Sequence, residues 1–157
     1  MNDIRPVIQK TIDTFIENNT LAVKRKDISL FSSMLSHDCV RVYRPLSLVR
    51  RYPQFFKPEL SNADFETRMK MELQTMQDVS QKVTRTVIDT TQRRASISSE
   101  LTIITGDDQP RKTVEVIWDL DFTEDGTRIS RIFEFVDTYE ATAVIEEMLS
   151  KAVSSSQ

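Results

Sequence analysis

Two charged side chains in this chain, one able to accept a proton and the other to stabilise the negative charge that develops, lie on strands among apolar residues. In RISRIFEFVD, period-two spacing puts Glu134 between Ile132 and Val136 on one face, while Ile129, Phe133 and Phe135 share the other with Arg131 and Asp137. A carboxylate flanked in this way stands either at a sheet surface or at the wall of an apolar cavity. In the second setting, burial raises its pKa toward the range useful to a general base. Arg41, in the middle of HDCVRVYRP, shares a face with Cys39 and Tyr43. Its guanidinium can bind a carboxylate or lactone oxygen through two parallel hydrogen bonds, or serve as a structural salt bridge to Asp38 or Glu134. An inward Tyr43 would donate to an oxyanion, or act as an amphipathic core residue. Carboxylate, guanidinium and phenol suffice for acid–base isomerisation in a dry pocket.

A second group of candidates would close or line such a pocket. Glu59 lies on a long loop, where a carboxylate is either a lid group or simply solvated, and Asn62 either closes the pocket or caps the helix that follows. Trp118 and Phe55 would supply apolar walls, Trp118 reading equally as ordinary core, and Asp38 is a further polar candidate for substrate binding. Glu115 reads as a solvent-side residue. With one histidine, His37, and one cysteine, Cys39, neither a His-rich catalytic zinc site nor a Cys-rich structural one can form. Two isolated glycines leave no P-loop, dinucleotide fingerprint or nucleophile elbow.

The elements that position these residues are legible from periodicity. Apolar residues at helical spacing run from Ile4 to about Lys26, and Asp27 caps a second, shorter helix in ISLFSSMLS. HDCVRVYRP is a strand ended by Pro45. Leu46 to Leu60 reads as a long loop with a helical turn, bracketed by Pro53 and Pro58. A third helix begins at Ser61 or Asn62 and carries Phe65, Met69, Leu73 and Met76 down one face, a stripe read as core packing. Two β-rich runs follow, QKVTRTVIDT and ASISSELTII. The most distinct signal is a hairpin from Thr113 to Asp137, turning at Asp125-Gly126, with Val114, Val116, Trp118, Leu120 and Phe122 on one face of its first strand. Gly106 and Gly126 both fall in turns where a positive φ is useful. YEATAVIEEMLSKAV closes the chain as a helix, with residues 153–157 expected as a frayed tail.

Length and composition bound the rest. At 157 residues, one domain spanning 1–157 is expected, and 39% hydrophobic with 29% charged residues is the balance of a globular protein. No stretch is long and apolar enough to span a bilayer. The charged, proline-containing N-terminus MNDIRPVIQK and the lone Cys39 fit a cytoplasmic protein. A net charge of -3, with basic clusters only two or three residues long, argues against a nucleic-acid partner.

Helices first, then a strand meander, indicate an α+β fold with helices gathered on one face of a curved antiparallel sheet. This order resembles the cone-shaped nuclear-transport-factor-2-like superfamily, which includes SnoaL-like polyketide cyclases, ketosteroid isomerase and scytalone dehydratase. The likeness extends to about Met148. It is carried by MLSHDCVRVYRP, similar to that superfamily's proline-terminated opening strand, and by DGTRISRIFEFVD, similar to its last strand with a DG turn and closing Asp. The combination of DCVRVYRP, SNADFETRM and WDLDFTEDGTRISRIFEFVD is further similar to fungal isomerases and cyclases of meroterpenoid and polyketide pathways, the terretonin- and austinol-pathway type. The resemblance implies an isomerase or cyclase that rearranges a polycyclic secondary metabolite in an apolar cavity, as a homodimer without metal or organic cofactor. It also places an acidic residue at Glu134 and a polar one at Arg41. Two departures matter: Arg44 stands where ketosteroid isomerase-like sequences carry an acid, and the paired histidines of scytalone dehydratase are absent. The superfold also hosts non-catalytic dimeric binding modules, and a dehydratase or hydrolase is possible on the same scaffold.

Overall fold

The structure, a computed structural model, describes residues 3–106 and 108–154. Six strands form one sheet: β1 (Leu35–Arg44), β2 (Glu59–Ser61), β3 (Asp78–Asp89), β4 (Arg94–Ile104), β5 (Lys112–Phe122) and β6 (Ile129–Val136), in the order β2-β1-β6-β5-β4-β3. β3 to β6 are the expected meander. β1 joins it by pairing in parallel with β6, so the sheet is mixed at that one seam, and β2 adds an antiparallel edge strand. Alternation decides the inner face. Val114, Val116, Trp118, Leu120 and Phe122 are buried, whereas Glu115 is exposed. Each fully buried residue such as Leu120 or Ile132 contributes about 1.5–3 kcal/mol through removal of its side chain from water.

Four helices cover this inner face: α1 (Arg5–Arg25), α2 (Leu46–Arg51), α3 (Asn62–Glu72) and α4 (Thr138–Ser154). Pro6 opens α1, where a missing N–H costs nothing, and Ile8, Ile12, Phe15, Ala22 and Val23 form its buried stripe. Phe15 packs edge-on against Trp118 at 5.2 Å. The hairpin turn is held against α1 by a hydrogen bond from the Thr11 hydroxyl to the Gly126 carbonyl, 2.8 Å long. Gly126 has φ +72°, and a Cβ there would lie 3.1 Å from Ile4 and from Ile8, so two independent constraints favour glycine. Asp125 accepts from the Thr123 hydroxyl and the Thr127 amide, which holds its carboxyl at about 2. Gly106, by contrast, does not occupy the left-handed region.

Helix boundaries differ from the expected ones for identifiable reasons. Asp27 does cap, accepting from the Ser29 amide, but the helix it starts is a single 3-10 turn (Ile28–Phe31). The next residues turn instead, and β1 begins at Leu35. The long loop contains a short helix, α2, and its last two residues, with Ser61, are recruited as β2 beside β1. Ser61 is the N-cap of α3 in a capping box with Asp64, while Lys26 reaches across to the Leu73 and Met76 carbonyls at its far end. α4 runs through Ser154, beyond the point where a frayed tail was expected, and residues 155–157 lie outside the described ones. Glu147 fastens this helix to the sheet by accepting from Thr105 and Lys112. Among the described residues, no helix is long and apolar enough to cross a membrane.

Candidate active site

The parallel seam brings the functional side chains together. In its register Tyr43 of β1 lies opposite Glu134 of β6, and the antiparallel pairing on the other side puts Trp118 of β5 opposite Glu134 as well. Strand neighbours in register share a face, so Tyr43, Glu134 and Trp118 form a row on the inner face. Arg41, two residues before Tyr43, reaches diagonally to Glu134: its Nη1 donates to Oε2 at 2.7 Å, with the two side chains 5% and 12% exposed. The Arg41 guanidinium lies over the Phe65 ring of α3, 3.8 Å from its centroid. Glu134 is therefore a wall residue of an apolar cavity.

That cavity is about 150 Å³, and its wall is mainly aromatic and aliphatic. Five buried polar atoms of residues that line it have no partner among the described residues: Arg41 Nε and Nη2, Arg68 Nη1, Trp118 Nε1 and Gln81 Oε1. Buried polar groups in folded proteins are normally paired, so a cluster of orphans at one cavity marks a place for a polar ligand or water. Burial pushes the Tyr43 phenol up to about 12, with the nearby Arg68 opposing the shift and Glu134 reinforcing it. Tyr43 is thus a neutral donor throughout the working range. Burial likewise raises the Cys39 thiol to about 11, which makes it an inert neighbour of Arg41.

Five of the sequence candidates converge here, namely Arg41, Tyr43, Phe55, Trp118 and Glu134. Three do not. Glu59 opens β2 and is exposed, because Leu60, opposite Arg41, takes the inward position and alternation turns Glu59 out. Asp38 is exposed away from the cavity, where its carboxylate accepts from Ser36; that hydroxyl holds it below the usual carboxylate range. Asn62 is neither cap nor wall: its amide donates to the Ser36 carbonyl at 2.9 Å and ties α3 to β1. Arg44, the departure from the ketosteroid isomerase-like pattern, sits off the cavity with its guanidinium 5.7 Å from the Phe133 ring.

Sequence reasoning missed a second ion pair, Arg68 with Glu72, joined at 2.6 Å from Nε to Oε1 and 13% exposed at both ends. Its signal lay inside the helix stripe read as core. Residues three and seven positions after Phe65 fall on the same helical face, so Arg68 and Glu72 interrupt the apolar run Phe65, Met69 and Met76. Gln81 on β3, whose amide donates to Ser99, was also missed, and strand periodicity alone gives no signal for it.

No protein-family model and no curated protein sequence matches the chain. Solved structures do. BvnE pinacolase from Penicillium brevicompactum superimposes with a TM-score of 0.80 over 96% of both chains at 16% identity. The fold is the nuclear-transport-factor-2-like cone. AusH from Aspergillus nidulans has a TM-score of 0.71 at 18% identity, covering 85% of this chain and 86% of its own. PrhC from Penicillium brasilianum NBRC 6234 has a TM-score of 0.72 at 13% identity, covering 93% of this chain and 92% of its own.

Proposed function

We propose that this protein is an isomerase or cyclase that rearranges a polycyclic secondary metabolite, of meroterpenoid or polyketide type, by acid–base chemistry at Arg41 and Glu134. The reading is carried by one observation: a buried carboxylate–guanidinium pair lining an apolar cavity, with two guanidinium nitrogens left unpartnered among the described residues. The fold shared with a pinacolase is consistent with it. A substrate carbonyl binds Arg41 Nε and Nη2, and Glu134 takes a proton from a neighbouring C–H or O–H group. The electron pair released moves toward the bound oxygen, where Arg41 and the Tyr43 phenol stabilise the developing charge. Return of the proton from Glu134 to a different atom completes an isomerisation, with no change of mass.

A cavity of about 150 Å³ holds roughly one carbocyclic ring. The reactive ring enters it, and the remainder of a polycyclic substrate lies toward Phe55 and α4. On the outer sheet face, Ile117 and Phe135 are register partners, 43% and 46% exposed. We assign this face to a homodimer contact, in keeping with the apolar cores of such interfaces.

The test is incubation of purified protein with candidate metabolites, followed by mass spectrometry and NMR of the product. An isomer of unchanged mass is expected, and Glu134→Gln should reduce kcat by about 10²–10⁴. A product heavier or lighter by one water would assign a hydratase, hydrolase or dehydratase instead. Unaltered turnover in both Glu134→Gln and Arg41→Ala would remove the mechanism. The rival reading, a non-catalytic binding module, predicts ligand uptake with no conversion.

A further inference from the structure

Arg68 is a charged group that the acid–base reading leaves unused. The residue lines the cavity from the inner face of α3; its Nε is committed to Glu72, while Nη1 is buried and unpartnered among the described residues. Three aromatic rings surround the guanidinium, with Tyr43 at 4.8 Å, Phe56 at 4.9 Å and Phe65 at 5.5 Å from Cζ. A planar cation packed this way has little freedom to swing toward solvent. Phe65 also carries Arg41 on its ring, so one aromatic side chain positions both guanidiniums.

The unpartnered buried polar atoms of the lining residues are unbalanced in kind. Arg41 supplies two orphan donors, Arg68 one and Trp118 one, against the single orphan acceptor of Gln81. Charge does not explain the excess, because each arginine has its own glutamate. Orphans of this kind suit a ligand that accepts hydrogen bonds at more than one point, such as ketone, lactone or ether oxygens on an apolar skeleton.

We propose that Arg68 is a substrate-binding residue forming a second oxygen site, and that the substrate carries two oxygen acceptors, one held by Arg41 and the other by Arg68 Nη1. This rests on the reading of Arg41 and Glu134 as the reacting pair. It adds a selectivity that the pair alone lacks: a mono-oxygenated ring engages Arg41 only, and a ring oxygenated at two positions bridges both arginines.

Binding can be read without catalysis, because Trp118 is the sole tryptophan and lines the cavity. Its fluorescence is titrated with cyclohexanone and with cyclohexane-1,4-dione, two neutral probes of one-ring size. In the wild-type protein the dione should bind about tenfold more tightly, as expected for one added hydrogen bond from a charged donor. The double variant Arg68→Met/Glu72→Leu removes the site without stranding a buried carboxylate, and its folding is checked by circular dichroism. It should bind cyclohexanone as the wild type does and lose the preference for the dione; Arg68→Lys should keep part of it. A preference undiminished in the double variant, or absent in the wild type, overturns the proposal. Arg41→Met with unchanged cyclohexanone affinity would instead mark failure of the Arg41 reading, separately from that of Arg68.

Discussion

Arg41 and Glu134 are 93 residues apart in sequence and 2.7 Å apart in space, joined across the parallel seam of β1 and β6. The pair is desolvated on the inner face of the sheet, with Phe65 against the guanidinium. Ion pairs in this position are costly to break from one side, since the surviving charge is left without a partner in a low-dielectric setting.

Arg41→Met should therefore destabilise the protein by about 3–5 kcal/mol, whereas the double variant Arg41→Met/Glu134→Leu should return to within about 1 kcal/mol of the wild type. Urea denaturation of the four members of the cycle measures this. If the double variant is as unstable as Arg41→Met, the pair is not an isolated unit.

Glu147 gives a pH dependence with a defined sign. Burial alone would raise its carboxyl, but hydrogen bonds from Lys112 and Thr105 hold it below the ordinary glutamate value. A depressed native pKa contributes stability that is complete above the unfolded value of about 4.3 and lost as pH falls through the native one. Acid titration of thermal stability should show a falling limb below about pH 4 that flattens in Glu147→Gln. An identical acid limb in the variant would show that α4 is not held to Thr105 and Lys112 by this carboxylate.

Gly126→Ala forces a side chain into the left-handed region and against Ile4 and Ile8. The expected loss is about 2 kcal/mol, of which about 1–2 kcal/mol is backbone strain. A midpoint within error of the wild type in urea denaturation would mean that the turn relaxes at no cost. Gly106→Ala is the matched control, because its backbone lies outside that region and its Cβ would meet side-chain atoms only, Lys151 Nζ at 3.2 Å and Gln109 Cγ at 3.4 Å.

The hairpin, the strand alternation and the helical stripes follow from residue spacing, because each is set by contacts within a few positions along the chain. That spacing was enough to put Glu134 and Trp118 on chosen faces of their strands, and the Asp125-Gly126 turn where the structure has it. It could not reveal which face looked inward on β1, since period two is symmetric until the partner strand is known. The parallel pairing of β1 with β6 settled that point by turning Cys39, Arg41 and Tyr43 toward the helices and Asp38 away.

The same limit explains the lid. Glu59 belonged to a stretch without periodicity, and only its capture as an edge strand beside β1 fixed its side chain outward. Arg68 and Glu72 were visible as charges within an apolar stripe. What made them cavity groups was the docking of α3 over Tyr43 and Phe56, a long-range event. The sequence by itself determined the elements, their apolar faces and the presence of a carboxylate and a guanidinium with pocket-like flanks. Only the tertiary structure decided which charges meet and which buried N–H groups are left without a partner, because pairing of buried charges depends on register between strands distant in the chain.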